Sequence, residues 1–183
     1  MKKIMFNDRF GLTDAVLEGR KTVTRRIANE SNDLSIVNRK PTYLGKQQYQ
    51  VGEVVAIAQK YKDIIDYSHY SDKEIESISK SAGWSNKMFV LSYLMPNQIE
   101  ILDVRAERLQ DITDEDCIKE GISSYDTSGK NYIETVYGVD MINKFIELGN
   151  TPRKAFAFLI NKISGKGTWE SNPYVFRYEF KLK

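Results

Sequence analysis

Two segments of the chain show the hydrophobic periodicities of an amphipathic helix and of a half-buried strand. Thr151 and Pro152 favour a helix start, and the helix they predict ends at Gly165. Its apolar residues recur at helical spacing: Ala155, Phe156, Leu159, Ile160 and Ile163. From 174 to 182, aromatic and aliphatic residues alternate with Val175, Arg177, Glu179 and Lys181. This alternation predicts a strand with one buried face, of a kind that commonly closes a barrel.

Shorter elements precede this pair. Residues 52–58 predict a buried strand, and Ser71 begins an S-x-x-E capping box whose helix should end near Gly83. Residues 88–94 and 99–106 are apolar or alternating, and a proline-containing connection joins them. They predict two strands paired as a hairpin.

The remaining segments alternate between short helices and loops. Thr113 predicts the cap of a short helix that ends before Gly121. Residues 27–50 predict a long polar connection, residues 123–138 a loop insertion, and residues 140–148 a further short helix. Strands interspersed with helices, without regular βαβ spacing, predict a mixed α+β domain with a curled sheet.

Composition narrows the functional classes. The 183 residues fit one domain, 1–183, and 41% hydrophobic with 28% charged residues is ordinary for a soluble protein. The net charge of +2 gives no global basic field, so binding to nucleic acid would need a local patch. A single cysteine, Cys117, excludes an intrachain disulfide. With no membrane-length apolar run and no metal-ligand spacing, we expect a cytoplasmic protein without a metal, cofactor or membrane partner.

A cationic corner between a helix and a strand is the strongest candidate for chemistry. The helix predicted before Gly19 is followed by Arg20 and Lys21 on a turn, and Gly19 occupies a position that favours left-handed backbone. In the strand that follows, the side chains of Thr22, Thr24 and Arg26 share one face; Arg25 lies between the last two. Such a corner can bind a phosphate, a carboxylate or a polarised carbonyl oxygen. The alternative is structural: cations that complement the negative end of the helix, with solvated arginines.

Three blocks of sequence resemble the ASCH family, which belongs to the PUA-like superfamily of small β-barrels. The blocks are Gly19-x-Lys21-x-x-x-x-Arg26, residues 104–112 running into 120–122, and residues 169–176 with 179–180. Together they resemble the longer family members found in phages and mobile elements. The resemblance implies a PUA-like curled β-barrel with peripheral helices.

The resemblance also implies site residues. Some small ASCH proteins are amidohydrolases of N4-acetylcytidine, and their catalytic residues correspond here to Lys21, Thr24 and Glu120. A threonine hydroxyl needs a neighbouring base to become a nucleophile. Lys21 could supply that base, Glu120 could orient it or relay the proton, and Arg26 could stabilise the oxyanion. This chain departs from those minimal hydrolases in being much longer.

Glu120 stands out from the residues alone as well. A carboxylate in the last turn of a helix is disfavoured by about 0.3–1 kcal/mol. Glu120 is then either exposed, with the penalty tolerated, or paired with an arginine. On the exposed interpretation, Glu120→Gln should stabilise the protein slightly.

Three functions fit these patterns. The first is an RNA- or nucleotide-binding domain, with or without hydrolase activity in the same cleft. Lys21, Thr24, Arg26 and Glu120 would line this cleft, and the binding residues would be Arg20, Thr22, Arg25, Arg26 and Trp169. The second is an amidohydrolase of N4-acetylcytidine-like nucleosides, and the third is a ribonuclease. Most aromatic residues are expected to pack internally, with Trp169 as the candidate for base stacking. RNA or a nucleoside or nucleotide is the expected partner, and the oligomeric state stays open.

Overall fold

The computed structural model describes residues 1–28, 34–37, 40–43, 47–122 and 151–183. The predicted insertion at 123–138 and helix at 140–148 lie outside these residues. The strands are β1 Lys3–Ile4, β2 Val23–Ile27, β3 Leu34–Val37, β4 Lys40–Tyr43, β5 Val54–Ile57, β6 Gln98–Arg108 and β7 Tyr174–Leu182. The helices are α1 Leu12–Leu17, α2 Tyr61–Ile64, α3 Asp72–Ser79, α4 Asp114–Lys119, α5 Pro152–Ser164 and α6 Thr168–Ser171. The predicted mixture of α and β elements is therefore confirmed.

Five strands form one sheet in the order β1-β5-β6-β7-β2. Strand β1 is parallel to β5, and the other neighbours are antiparallel. The edge strands β1 and β2 do not pair with each other in the described part of the chain. A side chain bridges the two edges instead, since Arg26 Nη2 donates to the carbonyl oxygen of Met5 at 2.6 Å. The sheet is thus curled, and closure into a barrel stays a prediction.

The core fills the concave side of this sheet. Its fully buried members include Val23, Ile57, Ile99, Ile101 and Tyr178. Helix α5 adds Ala155, Phe156, Leu159 and Ile160, the stripe that its spacing predicts. Ile163 continues that stripe in the sequence but is 38% exposed, because the last turn of α5 runs beyond the core.

Local signals placed several element boundaries. Gly19 has a φ of +73° after α1, and Thr113 Oγ1 accepts from Asp116 N at the start of α4. Thr151 caps α5 in the same way, and both the backbone N and Oγ of Ser71 donate to Glu74 at the start of α3. Helix α3 ends at Ser79 rather than near Gly83.

Residues 88–94 do not form the predicted strand. They lie in two 3-10 turns, Lys87–Phe89 and Ser92–Leu94. Local side chains bind the backbone amides here: Met88 N donates to Asn86, and Leu91 N donates to Tyr61 Oη at 2.9 Å. Strand β6, which covers the predicted 99–106, therefore pairs with β5 and β7.

Two further predictions need correction. The polar connection 27–50 contains the hairpin β3–β4, in which Leu34 pairs with Tyr43; a short alternation of Leu34 and Ile36 with Ser35 was enough to form it. Strand β7 is not half-buried along its length. It lies between β6 and β2, and Arg177 on its predicted polar face is 1% exposed because the first turn of α4 covers it with Asp116.

Candidate functional site

The corner between α1 and β2 directs Lys21 into the protein. Gly19 N donates to Val16 O at 2.9 Å and Lys21 N to Ala15 O at 2.8 Å, so the chain reverses tightly after the helix. Thr22 N then donates to Lys119 O at 2.9 Å, which fixes the corner against α4. As a result, the lysine lies next to the end of α4.

The Lys21 ammonium is saturated with acceptors. Nζ donates to Glu120 Oε2 at 2.5 Å, to the Glu120 carbonyl oxygen at 2.7 Å and to Val23 O at 2.8 Å. The side chain is 2% exposed. Burial lowers the pKa of Lys21, although the Glu120 carboxylate acts to raise it.

Glu120 is the residue that ends α4, and its carboxylate is divided between two cations. Oε2 accepts from Lys21, and Oε1 accepts from Arg25 Nη1 at 3.1 Å. Of the two sequence interpretations, the exposed carboxylate is wrong and the arginine pair is confirmed, with Lys21 as a second partner. These two cations offset the unfavourable field at the helix end. Gly121 follows with a φ of +94°, which lets the chain turn away immediately.

The ion pairs extend beyond the predicted site. The guanidinium of Arg25, with its side chain 1% exposed, also contacts Glu107 and Asp116. Asp116 Oδ2 accepts from Arg25 Nη2 at 2.5 Å and from Arg177 Nε at 2.8 Å. A chain of alternating charges therefore runs from Lys21 through Glu120, Arg25 and Asp116 to Arg177.

The sequence gives no indication that Glu107, Asp116 and Arg177 belong to this network. Asp116 in the first turn of α4 has an ordinary explanation, since acidic residues complement the positive end of a helix. Arg177 occupies a polar position of an alternating strand, where an arginine is expected even without a functional role. Their contacts join residues between 61 and 91 positions apart, so no local pattern indicates them.

The pKa values follow from these contacts. Burial acts to raise the pKa of Asp116, but hydrogen bonds from Arg177 and Arg25 hold it well below its ordinary value. Burial acts to lower the pKa of Arg25, and Glu120 and Glu107 raise it instead. Burial raises the pKa of the Cys117 thiol to about 12, so this cysteine is no thiolate nucleophile at neutral pH.

Thr24 and Arg26 follow on β2. Thr24 is 5% exposed, and its hydroxyl has no hydrogen-bond partner in the described part of the chain. Arg26 extends over Phe6, with 5.9 Å between its guanidinium carbon and the ring centroid. Its Nε is buried and likewise lacks an acceptor among the described residues.

A cavity of about 570 Å³, which we call the Lys21 cavity, brings these residues together. Its polar wall includes Lys21, Thr24, Arg25, Arg26 and Glu120. Its apolar wall comes from α5 and from the N-terminal segment: Phe6, Leu12, Phe156, Leu159, Ile160 and Ile163. The predicted convergence of Lys21, Thr24, Arg26 and Glu120 on one concave surface is therefore present, and their catalytic roles stay predictions.

Three predicted binding residues lie elsewhere. Arg20 pairs with Glu18, with 2.7 Å between Nε and Oε2, and Thr22 does not line the cavity. Trp169 lies on α6, where its ring meets Phe156 edge-on at 6.2 Å and the Arg153 guanidinium at 5.3 Å. Trp169 therefore supports α5 from outside the cavity lining.

The single histidine, His69, does not line the cavity. His69 has a 77% exposed side chain and pairs with Asp66. In the described ranges, no cluster of three or more His, Cys, Asp or Glu residues is arranged to hold a metal ion. Within the same ranges, no helix has both the length and the apolar character needed to cross a bilayer.

Comparison with known proteins gives one structural similarity. No family model and no curated protein matches the sequence. Among solved structures, an ASCH domain from Lactobacillus crispatus JV V101 is similar at 13% sequence identity and a TM-score of 0.38. The match covers 93% of this chain and 69% of the other.

Proposed function

We propose that this protein binds a nucleoside or nucleotide in the Lys21 cavity. The observation that carries the proposal is the cavity itself, with an apolar wall facing a wall of hydrogen-bonding groups. Its volume of about 570 Å³ lies within the range of small-molecule sites, about 300–1,000 Å³. A nucleoside has the matching character, since a planar base buries apolar surface while the sugar and base edges need polar partners.

The two walls would act on different parts of this ligand. Ile160 and Ile163 on α5 offer apolar surface to a base, and the Thr24 hydroxyl, which has a donor and two acceptor sites, can bind its edge. Glu120 and Arg25 hold each other and Lys21 in place. A rigid polar wall of this kind lowers the entropic cost of ordering the site on binding.

Calorimetric titration with the four ribonucleosides, their 5′-monophosphates and the N-acylated forms of adenosine, cytidine and guanosine tests this proposal. Ile163→Glu, which puts a charge on the apolar wall, should weaken the affinity for the bound nucleoside about tenfold or more. Ile118→Glu is the matched control, because Ile118 is also a helical residue, is 42% exposed and does not line the cavity. Absence of binding by every nucleoside and nucleotide would refute the proposal.

Hydrolysis of an amide on an acylated nucleoside is a second candidate. It is favoured by the direct contact between Lys21 and Glu120 in a cavity that Thr24 also lines. In this reaction Lys21 first passes a proton to Glu120 and then accepts the hydroxyl proton as Thr24 attacks the amide carbon. The amine leaves with a proton from Lys21, and water hydrolyses the threonine ester to a carboxylic acid. The lowered pKa of Lys21 supports its role as a base.

Mass spectrometry of N-acylated nucleosides incubated with the protein tests the reaction. Thr24→Val should abolish turnover, while Thr24→Ser, which keeps a hydroxyl, should retain part of it. Full turnover by Thr24→Val would exclude the threonine ester. If a nucleoside binds but is not hydrolysed, the protein is a binding domain without this hydrolase activity. The ribonuclease alternative gains no support from the cavity, because no histidine lines it in the described residues.

A further inference from the structure

The Lys21 cavity has an excess of positive charge. Among the described residues that line it, five are cations, Arg9, Lys21, Arg25, Arg26 and Lys87, and two are carboxylates, Asp8 and Glu120. The whole chain has a net charge of only +2, so the excess is local. A concave surface with this charge raises the local concentration of anions.

Both carboxylates of the lining are already neutralised by cations. Asp8 contacts Lys87 and also Lys60, at 3.3 Å. Glu120 is held between Lys21 and Arg25. Neither carboxylate is therefore left to repel an anionic ligand or to attract the remaining arginines.

Arg9 and Arg26 are the remaining cations of the lining. Neither pairs with a carboxylate in the part of the chain that the structure describes. Arg26 donates to the Met5 carbonyl oxygen through Nη2, but its Nε is buried without an acceptor. A buried donor without a partner is costly, and the fork of a guanidinium can pair Nε and one Nη with two oxygens of an anion.

We propose that the ligand of the Lys21 cavity is a phosphorylated nucleoside whose phosphate binds Arg26 and Arg9. This inference rests on the proposed function and narrows it to an anionic ligand. The phosphate supplies two oxygens at the spacing of the guanidinium fork, and the apolar wall of α5 takes the base. Arg25 lines the same cavity but does not compete for the phosphate, because Glu107, Asp116 and Glu120 hold it.

Calorimetric titration at low salt compares each ribonucleoside with its 5′-monophosphate, with inorganic phosphate as the probe for the anion alone. We expect at least one monophosphate to bind about tenfold or more tightly than its own nucleoside, with a smaller advantage at higher salt. Arg26→Met and Arg9→Met should each reduce this advantage, measured within each variant as the ratio of its affinity for the monophosphate to its affinity for the nucleoside. Arg105→Met is the matched control, since its exposed side chain lies outside the cavity lining.

The outcomes separate this inference from the proposed function. Equal affinity for nucleoside and monophosphate, or an undiminished advantage in both arginine variants, would overturn the phosphate site while leaving nucleoside binding in place. Binding of neither class would overturn both. A trinucleotide in the same titration distinguishes the two sources of the phosphate: binding tighter than that of the monophosphate assigns the site to RNA, and weaker binding assigns it to a free nucleotide.

Discussion

The Glu120 carboxylate provides the sharpest test of the site, because the structure reverses the expectation from sequence. Glu120 is 4% exposed and lies 2.5 Å from Lys21 Nζ and 3.1 Å from Arg25 Nη1. In Glu120→Gln, Arg25 keeps Glu107 and Asp116, but the buried Lys21 ammonium loses its carboxylate. We therefore expect Glu120→Gln to destabilise the protein. If the carboxylate were exposed at the helix end, the same substitution should instead stabilise it slightly.

The magnitude follows from two opposing effects. Removing one partner of a buried ion pair costs about 3–5 kcal/mol, because the other charge stays buried without compensation. Relief of the unfavourable charge at the end of α4 returns about 0.3–1 kcal/mol. The net loss of unfolding free energy is about 2–5 kcal/mol, which for a chain of this size lowers Tm by at least about 4 °C.

Urea unfolding of Glu120→Gln, Lys21→Met and the double variant measures this loss. The double variant should be more stable than the sum of the single effects predicts, by about 0.5–3 kcal/mol, because it leaves no lone buried charge. Glu76→Gln is the control, since its pair with Lys80 is exposed and should contribute little. Additive losses, or a Glu120→Gln variant as stable as the wild type, would refute the ion pair as the reason for the position of Glu120.

Two further predictions concern the same corner. Asp116 ionises well below its ordinary pKa in the folded protein, so its pairs with Arg25 and Arg177 stabilise the fold fully above about pH 4 and lose this effect as the pH falls further. Asp116→Asn should therefore be less stable than the wild type at neutral pH. Between pH 6 and pH 3, its urea midpoint should decrease by less than the wild-type midpoint does. An equal decrease in both proteins would contradict this prediction. Gly121→Ala should lose about 1–2 kcal/mol because of the φ of +94°, with a Cβ only 3.4 Å from those of Ala15 and Lys21. Gly165→Ala, which has a φ of +111° and open space, is the comparison in urea unfolding, and a smaller loss in Gly121→Ala than in Gly165→Ala would argue against contact at the corner.

The sequence by itself determined the elements whose signals are local. Gly19 ends α1 because glycine adopts a positive φ readily, and Thr113 and Thr151 begin helices because a hydroxyl satisfies a free amide in the first turn. The helical stripe of α5 also predicted its four core residues, Ala155, Phe156, Leu159 and Ile160, although Ile163 of the same stripe is partly exposed. Each of these signals acts within a few residues of the chain.

Patterns whose outcome depends on neighbouring elements were less informative. The apolar residues 88–94 read as a strand, but Asn86 and Tyr61 bind amides that a strand would use for pairing. Strand β7 alternates as if one face were solvated, yet its central place in the sheet and the approach of α4 bury Arg177. Whether one or both faces of a strand are buried depends on the elements that pack against the sheet, and the alternation of residues does not determine it.

For the site, the sequence indicated the candidate residues, and the tertiary structure determined which residues they contact. Residue types, spacing and the family resemblance together singled out Lys21, Thr24, Arg26 and Glu120, but the contact between Lys21 and Glu120 joins positions 99 residues apart. The tertiary contacts pair Arg25 with three carboxylates, whereas Arg26 pairs with none among the described residues. Local sequence cannot distinguish these adjacent arginines, because alternate residues of a strand point to opposite faces and only the fold determines what each face meets.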